Sequence, residues 1–130
     1  MLLADDHAET ADQLHNLLQP DFAVLAVVMD GRALVSAAAR LAPDVIVTDI
    51  SMPGFDGIAA CALIRRANPD ARVVLVTVHA EPELVEAGFT AGALGYVLKD
   101  AAGEDLVAAV HAALAGERYV SRALVPAGRP

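Results

Sequence analysis

Short runs of apolar and β-branched residues alternate with helix-length amphipathic stretches along almost the whole chain, and this rhythm restricts the fold more than any other feature. The runs are "MLLA" (1–4), "FAVLAVV" (22–28), "DVIVTD" (44–49), "RVVLVTV" (72–78) and "LGYVLK" (94–99). Between them lie residues 8–18, 31–42, 57–67 and 82–91, and a last such stretch covers 104–115. Apolar residues are continuous within the runs rather than alternating, which is the pattern of strands buried on both faces. Strand–helix alternation then predicts a parallel sheet with helices on both sides. Five units predict an α/β, doubly wound, five-stranded sheet with five helices, whose ligands gather at the carboxyl ends of the strands. The first run is short for a strand that such a fold makes central.

Punctuation agrees with this division. Pro43 and Pro69 fall just past the ends of helical stretches, and Gly92 stands where a C-capping glycine belongs. "MPGFDG" reads as a loop. From 119 to 130 the periodicity is lost and Gly, Pro and Arg accumulate. The expected organisation is one domain over 1–118 and a tail, or the start of a linker, over 119–130.

Composition excludes several function classes. At 56% hydrophobic the chain is no disordered segment. Its apolar runs are far shorter than the ~20 residues of a spanning helix, so no membrane partner is expected. Two aspartates within the first six residues rule out a signal-peptide reading of the start. The net charge is −8, from 17 acids against nine Lys and Arg, which repels a phosphate backbone and suits a divalent cation. Cys61 is the single cysteine, so no internal disulfide can form and a cytoplasmic location is expected.

The residues that end the runs are the candidate site. The first run delivers Asp5 and Asp6, the third Asp49, the fourth Thr77 and the fifth Lys99. Lys99 is the only lysine; every other strong base is one of eight arginines. The fold brings three carboxylates, a hydroxyl and an ammonium to one edge. Three clustered carboxylates do not all stay ionised and unpaired at low cost. A magnesium ion relieves this, because it takes one or two carboxylates and leaves room for phosphate oxygens. A compact ammonium can neutralise phosphate from the other side. Such a set stabilises a transferring phosphoryl group by position and charge, with Asp49 as the nucleophile.

In order and spacing, "LLADDH", "DVIVTDISMPGFDG", "VVLVTVH" and "AGALGYVLKD" resemble the motifs of a response-regulator receiver domain, over about residues 1–118. The wording of "ADDH" and "GYVLKD" is most similar to receivers that precede a LuxR-type helix-turn-helix domain. The resemblance implies a flavodoxin-like receiver fold with strand order 2-1-3-4-5. It implies that Asp49 is the phosphoacceptor. It also implies that Mg2+ is held by Asp6, Asp49 and the Ser51 backbone carbonyl, with Asp5 acting mostly through water. By the same resemblance Lys99 is expected to pair with Asp49 at rest and with phosphate afterwards. It further implies that Thr77 swings inward to the phosphate and that Tyr96 follows between exposed and buried rotamers, remodelling the face of the fourth helix, fifth strand and fifth helix. The implied partners are a sensor histidine kinase and, on phosphorylation, a second copy, through either the first/fifth-helix face or the fourth-helix face. DNA is reached only through an output domain that these residues do not contain, so the implied role is a phosphoacceptor switch with a transcriptional output.

Each residue also has a plainer reading. Asp5 or Asp6 suits the N-cap of the first helix. Thr77 is a good strand former, and Tyr96 suits a core position with a wet tip. Asp56 belongs to its turn, and Cys61 packs as a small apolar residue. The four histidines lack metal-ligand spacing, although His7 and His79 fall near the acidic edge. A haloacid-dehalogenase-type phosphatase needs a second acid two residues after its nucleophile, where this chain has Ser51. Gly88 inside the fourth helix, and Ala102 and Gly103 in place of a capping residue in the fifth, predict a soft fourth-helix face.

Overall fold

The structure is a computed structural model that describes residues 1–124. Strands β1 (Leu2–Ala4), β2 (Ala26–Val28), β3 (Ile46–Thr48), β4 (Val73–Thr77), β5 (Gly95–Leu98) and β6 (Tyr119–Val120) form one sheet in the order β2-β1-β3-β4-β5-β6. Every pairing is parallel. Helices α1 (Ala8–Leu18), α2 (Gly31–Leu41), α3 (Gly57–Ala67), α4 (Pro82–Thr90) and α5 (Ala102–Leu114) make the crossovers.

The pleat explains the continuous apolar runs. Leu2, Ala4, Ile46, Val73, Leu75 and Tyr96 point to the side of α2, α3 and α4, where Leu34, Ala60, Cys61 and Ile64 meet them. Leu3, Val45, Val47, Val74, Val76 and Val97 point to the other side, against Leu14 and Leu18 of α1 and Leu106 and Val110 of α5. Alternate residues thus fill two separate cores, and a strand between them has no polar face to show.

Two expectations need correction. The sheet has six strands rather than five: Tyr119 and Val120, read as the beginning of a tail, pair with Gly95 and Tyr96 of β5. Residues 125–130, the rest of the expected tail, lie outside the described residues. The second run is strand only at Ala26–Val28, because β2 is an edge strand that pairs only where its neighbour Leu2–Ala4 is strand. The brevity of the first run is real, and the three residues of β1 are central and fully buried.

Helix ends follow local chemistry. Asp30 and Asp56 cap α2 and α3, their carboxylates accepting from Ala33 and Ala59 N–H at 2.8 Å each. After α4, Gly92 takes the left-handed conformation, φ +105°, that ends the helix. The topology reverses at β1, where the chain goes to β2 on one side and β3 on the other. The carboxyl ends of β1 and β3 flank the crevice that results.

Candidate phosphoryl site

Four strands deliver the side chains. Asp5 and Asp6 follow β1, Asp49 follows β3, Thr77 ends β4 and Lys99 follows β5. Backbone bonds hold the carboxylates in register: Asp49 N–H donates to Ala4 O at 2.9 Å, and Asp5 N–H to Val28 O at 3.0 Å. Gly57 opens α3 directly behind the nucleophile candidate. A Cβ there would lie 2.0 Å from Asp49 O, so only glycine lets the helix start so close.

Lys99 is the centre of the electrostatics. Its Nζ lies 2.9 Å from Asp5 Oδ2 and 3.0 Å from Asp49 Oδ2. Asp5 is fully buried and Asp49 nearly so. Burial by itself pulls the ammonium's pKa down, but the bonds and charges of the two carboxylates outweigh it, so the pKa stands above the ordinary lysine value. The sequence paired Lys99 with Asp49; the direct contact with Asp5 is an addition.

The acidic cluster fits a hard cation. Asp5, Asp6, His7 and Asp49 each offer a ligand atom, and these atoms lie within 4.8 Å of one another. Asp5 Oδ2 and Asp6 Oδ1 are buried without a well-directed hydrogen bond, though Lys99 Nζ and His7 Nδ1 are close ionic neighbours. Buried acceptors left in this state call for a donor or a cation. Neither aspartate caps α1. That position belongs to His7, whose side chain makes no capping bond, while Asp5 Oδ1 accepts from His7 N–H at 2.9 Å. The capping reading of Asp6 therefore fails, and its carboxylate is left to the crevice.

The remaining candidates are close by but engaged locally. Thr77 is buried, and its hydroxyl accepts from His79 N–H at 3.1 Å rather than bonding to Asp49. Tyr96 is fully buried, and its hydroxyl donates to His79 O at 2.8 Å. Burial, and then the charge of Glu81, push that hydroxyl up to about 12. Ser51 N–H makes a long 3.4 Å bond to Asp49 Oδ1. The Ser51 hydroxyl lies 3.1 Å from His79 Nε2, whose Nδ1 lies 3.6 Å from Glu81. The sequence pointed to His79 only as a neighbour of the edge; residues 28 apart give no signal of contact.

A second polar cluster was missed altogether. Asp105 of α5 accepts from the Tyr119 hydroxyl at 2.6 Å and from the Ser121 hydroxyl at 2.9 Å. Both partners lie in the region where periodicity is lost, and a carboxylate at a helix start reads as a dipole partner rather than as an anchor.

The chain matches the response regulator receiver domain family over residues 1–111. It is 36% identical over 128 residues to the nitrate/nitrite response regulator protein NarL of Escherichia coli, covering 97% of this chain and 59% of that protein. A LuxR-family two-component response regulator from Aurantimonas superposes with a TM-score of 0.91 at 33% identity, covering 95% of this chain and 89% of that one. The receiver domain of the putative response regulator NarL from Mycobacterium tuberculosis superposes with a TM-score of 0.85 at 30% identity, covering 89% and 95%. The chain spans little more than half the length of the curated relatives it matches, 54% to 59%.

Proposed function

Because the chain belongs to the response regulator receiver family, we propose that Asp49 accepts a phosphoryl group from a phosphohistidine of a sensor kinase. The observation that carries this reading is the shared ammonium: Lys99 holds Asp5 and Asp49 at 2.9 and 3.0 Å where β1 and β3 end. In the transfer, an Asp49 oxygen forms a bond to phosphorus as the N–P bond of phosphohistidine breaks, and the imidazole nitrogen keeps the electron pair. Lys99 leaves its carboxylates for the new phosphoryl oxygens, and Thr77 turns its hydroxyl toward another. Water later breaks the O–P bond and restores the carboxylate.

Asp6, Asp49 and the Ser51 carbonyl would hold Mg2+, with Asp5 through water. When bound, the ion supplies positive charge to the oxygens of the transferring group. The chain's own residues position the acceptor, screen it with Lys99 and couple it to Tyr96.

The proposed outcome is a switch that controls transcription through a DNA-binding part outside these residues, in a cytoplasmic two-component system. A net charge of −8 keeps DNA away from this part. No described helix is long and apolar enough to cross a membrane. The receiver is proposed to span 1–118 together with the short β6, Tyr119–Val120, that joins its sheet, with the segment after it leading toward the output part.

Incubation with Mg2+ and a small-molecule phosphodonor, followed by intact mass measurement, tests the assignment. The expected product is an acid-stable, base-labile phosphoryl adduct in the wild type. A wild type that gains nothing, or an Asp49→Asn variant that gains the same mass, contradicts it.

A further inference from the structure

The segment Tyr119–Leu124 lies across the outer edge of β5 and the flank of α4. Tyr119 N–H donates to Leu94 O at 2.9 Å and Ser121 N–H to Tyr96 O at 3.0 Å. On one side the Arg118 guanidinium sits 4.7 Å above the Phe89 ring of α4. On the other, Leu124 packs against the core beneath α4. A strand of two residues is by itself a weak hold. The stronger hold is Asp105, whose two oxygens take the Tyr119 and Ser121 hydroxyls at 2.6 and 2.9 Å. Bonds of this charge-assisted kind are about twice as strong as neutral ones.

The same serine is tied to the phosphoryl site. Leu98 N–H donates to Ser121 Oγ at 3.0 Å, and that contact is buried. The next residue is Lys99. It opens the 3-10 turn Lys99–Ala101 that runs straight into α5 and so to Asp105. Two of the three points that clasp Ser121, the Leu98 amide and the Asp105 carboxylate, therefore stand in the chain on either side of Lys99. The backbone of Lys99 is thus the link between the two clasp points, and a shift of that residue that reached its backbone would strain a hydroxyl held by both.

We propose that Tyr119–Leu124 is a detachable strap, fastened by Asp105 and released when Lys99 shifts from its two carboxylates to a phosphoryl group on Asp49. The release rests on the phosphoacceptor reading above; the fastening does not. Closed, the strap covers the outer edge of β5 and joins it to α4. Open, it frees that edge and changes the course of the chain where it leaves the sheet. Coupling of this kind is reciprocal, so a loosened strap also favours the phosphorylated arrangement.

Amide hydrogen exchange on the whole chain tests both parts, because it measures local opening. Without a phosphodonor, Asp105→Ala is expected to speed exchange at the Tyr119 and Ser121 amides by about tenfold or more, while the Val47 amide of β3 stays protected. Unchanged exchange in that variant overturns the fastening. Should Asp105→Ala loosen every strand, Tyr119→Phe decides: it deletes one hydroxyl, and faster exchange confined to Tyr119 and Ser121 supports the strap, whereas none refutes it. With Mg2+ and phosphodonor, wild-type protein carrying the adduct is expected to show the same local rise. An adduct without that rise overturns the release. No adduct at all sinks the Asp49 reading and the release with it, and Asp105→Ala still judges the fastening.

Discussion

At Lys99 one ammonium serves two carboxylates, and its protonation is worth something to the fold. Its pKa lies above the usual lysine value because the pull of Asp5 and Asp49 exceeds the opposing effect of burial. For a raised pKa, the stabilising contribution is complete below the unfolded value, 10.5 here, and fades as pH climbs through the folded one. Wild type should therefore exceed Lys99→Met in urea stability at pH 8, and the gap should narrow as pH rises past 10.5. A gap that stays constant with pH would show that protonation of Lys99 is not what stabilises. Lys99→Arg keeps the charge but brings a planar, bulkier head to a crevice sized for a point charge. This variant should still gain the phosphoryl mass yet fail to give the wild-type exchange response at the Tyr119 and Ser121 amides; a full response would show that lysine is not required. Tyr96 differs in kind. Its buried hydroxyl has one partner, His79 O, and Tyr96→Phe removes donor and desolvation cost together. The expected loss is about 1 kcal/mol by urea unfolding.

Between elements, glycines at two positions act in opposite senses although both sit in helices. Gly88 of α4 is buried against the sheet, and a Cβ there would lie 2.7 Å from Leu75 Cδ1 and 3.4 Å from Tyr96 Cδ2. Leu75 is fully buried, so its methyl has nowhere to retreat. Gly88→Ala gains about 1 kcal/mol of helix propensity but meets an overpacking cost of about 1–3 kcal/mol, so the net effect should be destabilising. A Cβ at Gly103 would meet nothing within 4 Å, and Gly103→Ala should stabilise α5 by up to about 1 kcal/mol. Paired urea titrations check the opposite signs. The glycine in α4, read from sequence as a plain weakness, is thus a close-approach residue. Helices α1 and α3 and the cores of β1 to β5 were legible because burial on one stripe or two faces writes itself as periodicity. The site was legible because strand ends bring Asp5, Asp49 and Lys99 together whatever the loop details. What was not legible depends on contacts between distant segments: the methyl of Leu75 over Gly88, the Ser51–His79 contact, and the pairing of Tyr119 with Gly95. No local pattern encodes a two-residue strand held by Asp105.

Across the whole molecule, an excess of eight negative charges opposes compaction. The acidic crevice concentrates part of that excess where Asp5, Asp6 and Asp49 approach within 4.8 Å. Lys99 compensates Asp5 and Asp49 but makes no ion pair with Asp6, whose near neighbour is the exposed His7. A divalent cation should therefore raise the stability of the folded chain. At a hundredfold excess over its Kd the gain is about 2.7 kcal/mol, a rise of several degrees in Tm. Sodium chloride at matched ionic strength screens the surface but leaves the crevice largely unaffected, so it should reproduce only a small part of the rise. Asp6→Asn should separate the two effects. It removes a repelling charge, so the variant without magnesium should be at least as stable as wild type, yet its Tm should no longer respond to the ion. His7→Ala should keep the response, because magnesium prefers oxygen ligands. Thermal melts of the three proteins with magnesium, with chelator and with sodium chloride decide the matter. An equal response in Asp6→Asn would mean that the ion acts on the general surface and that the crevice is not its site.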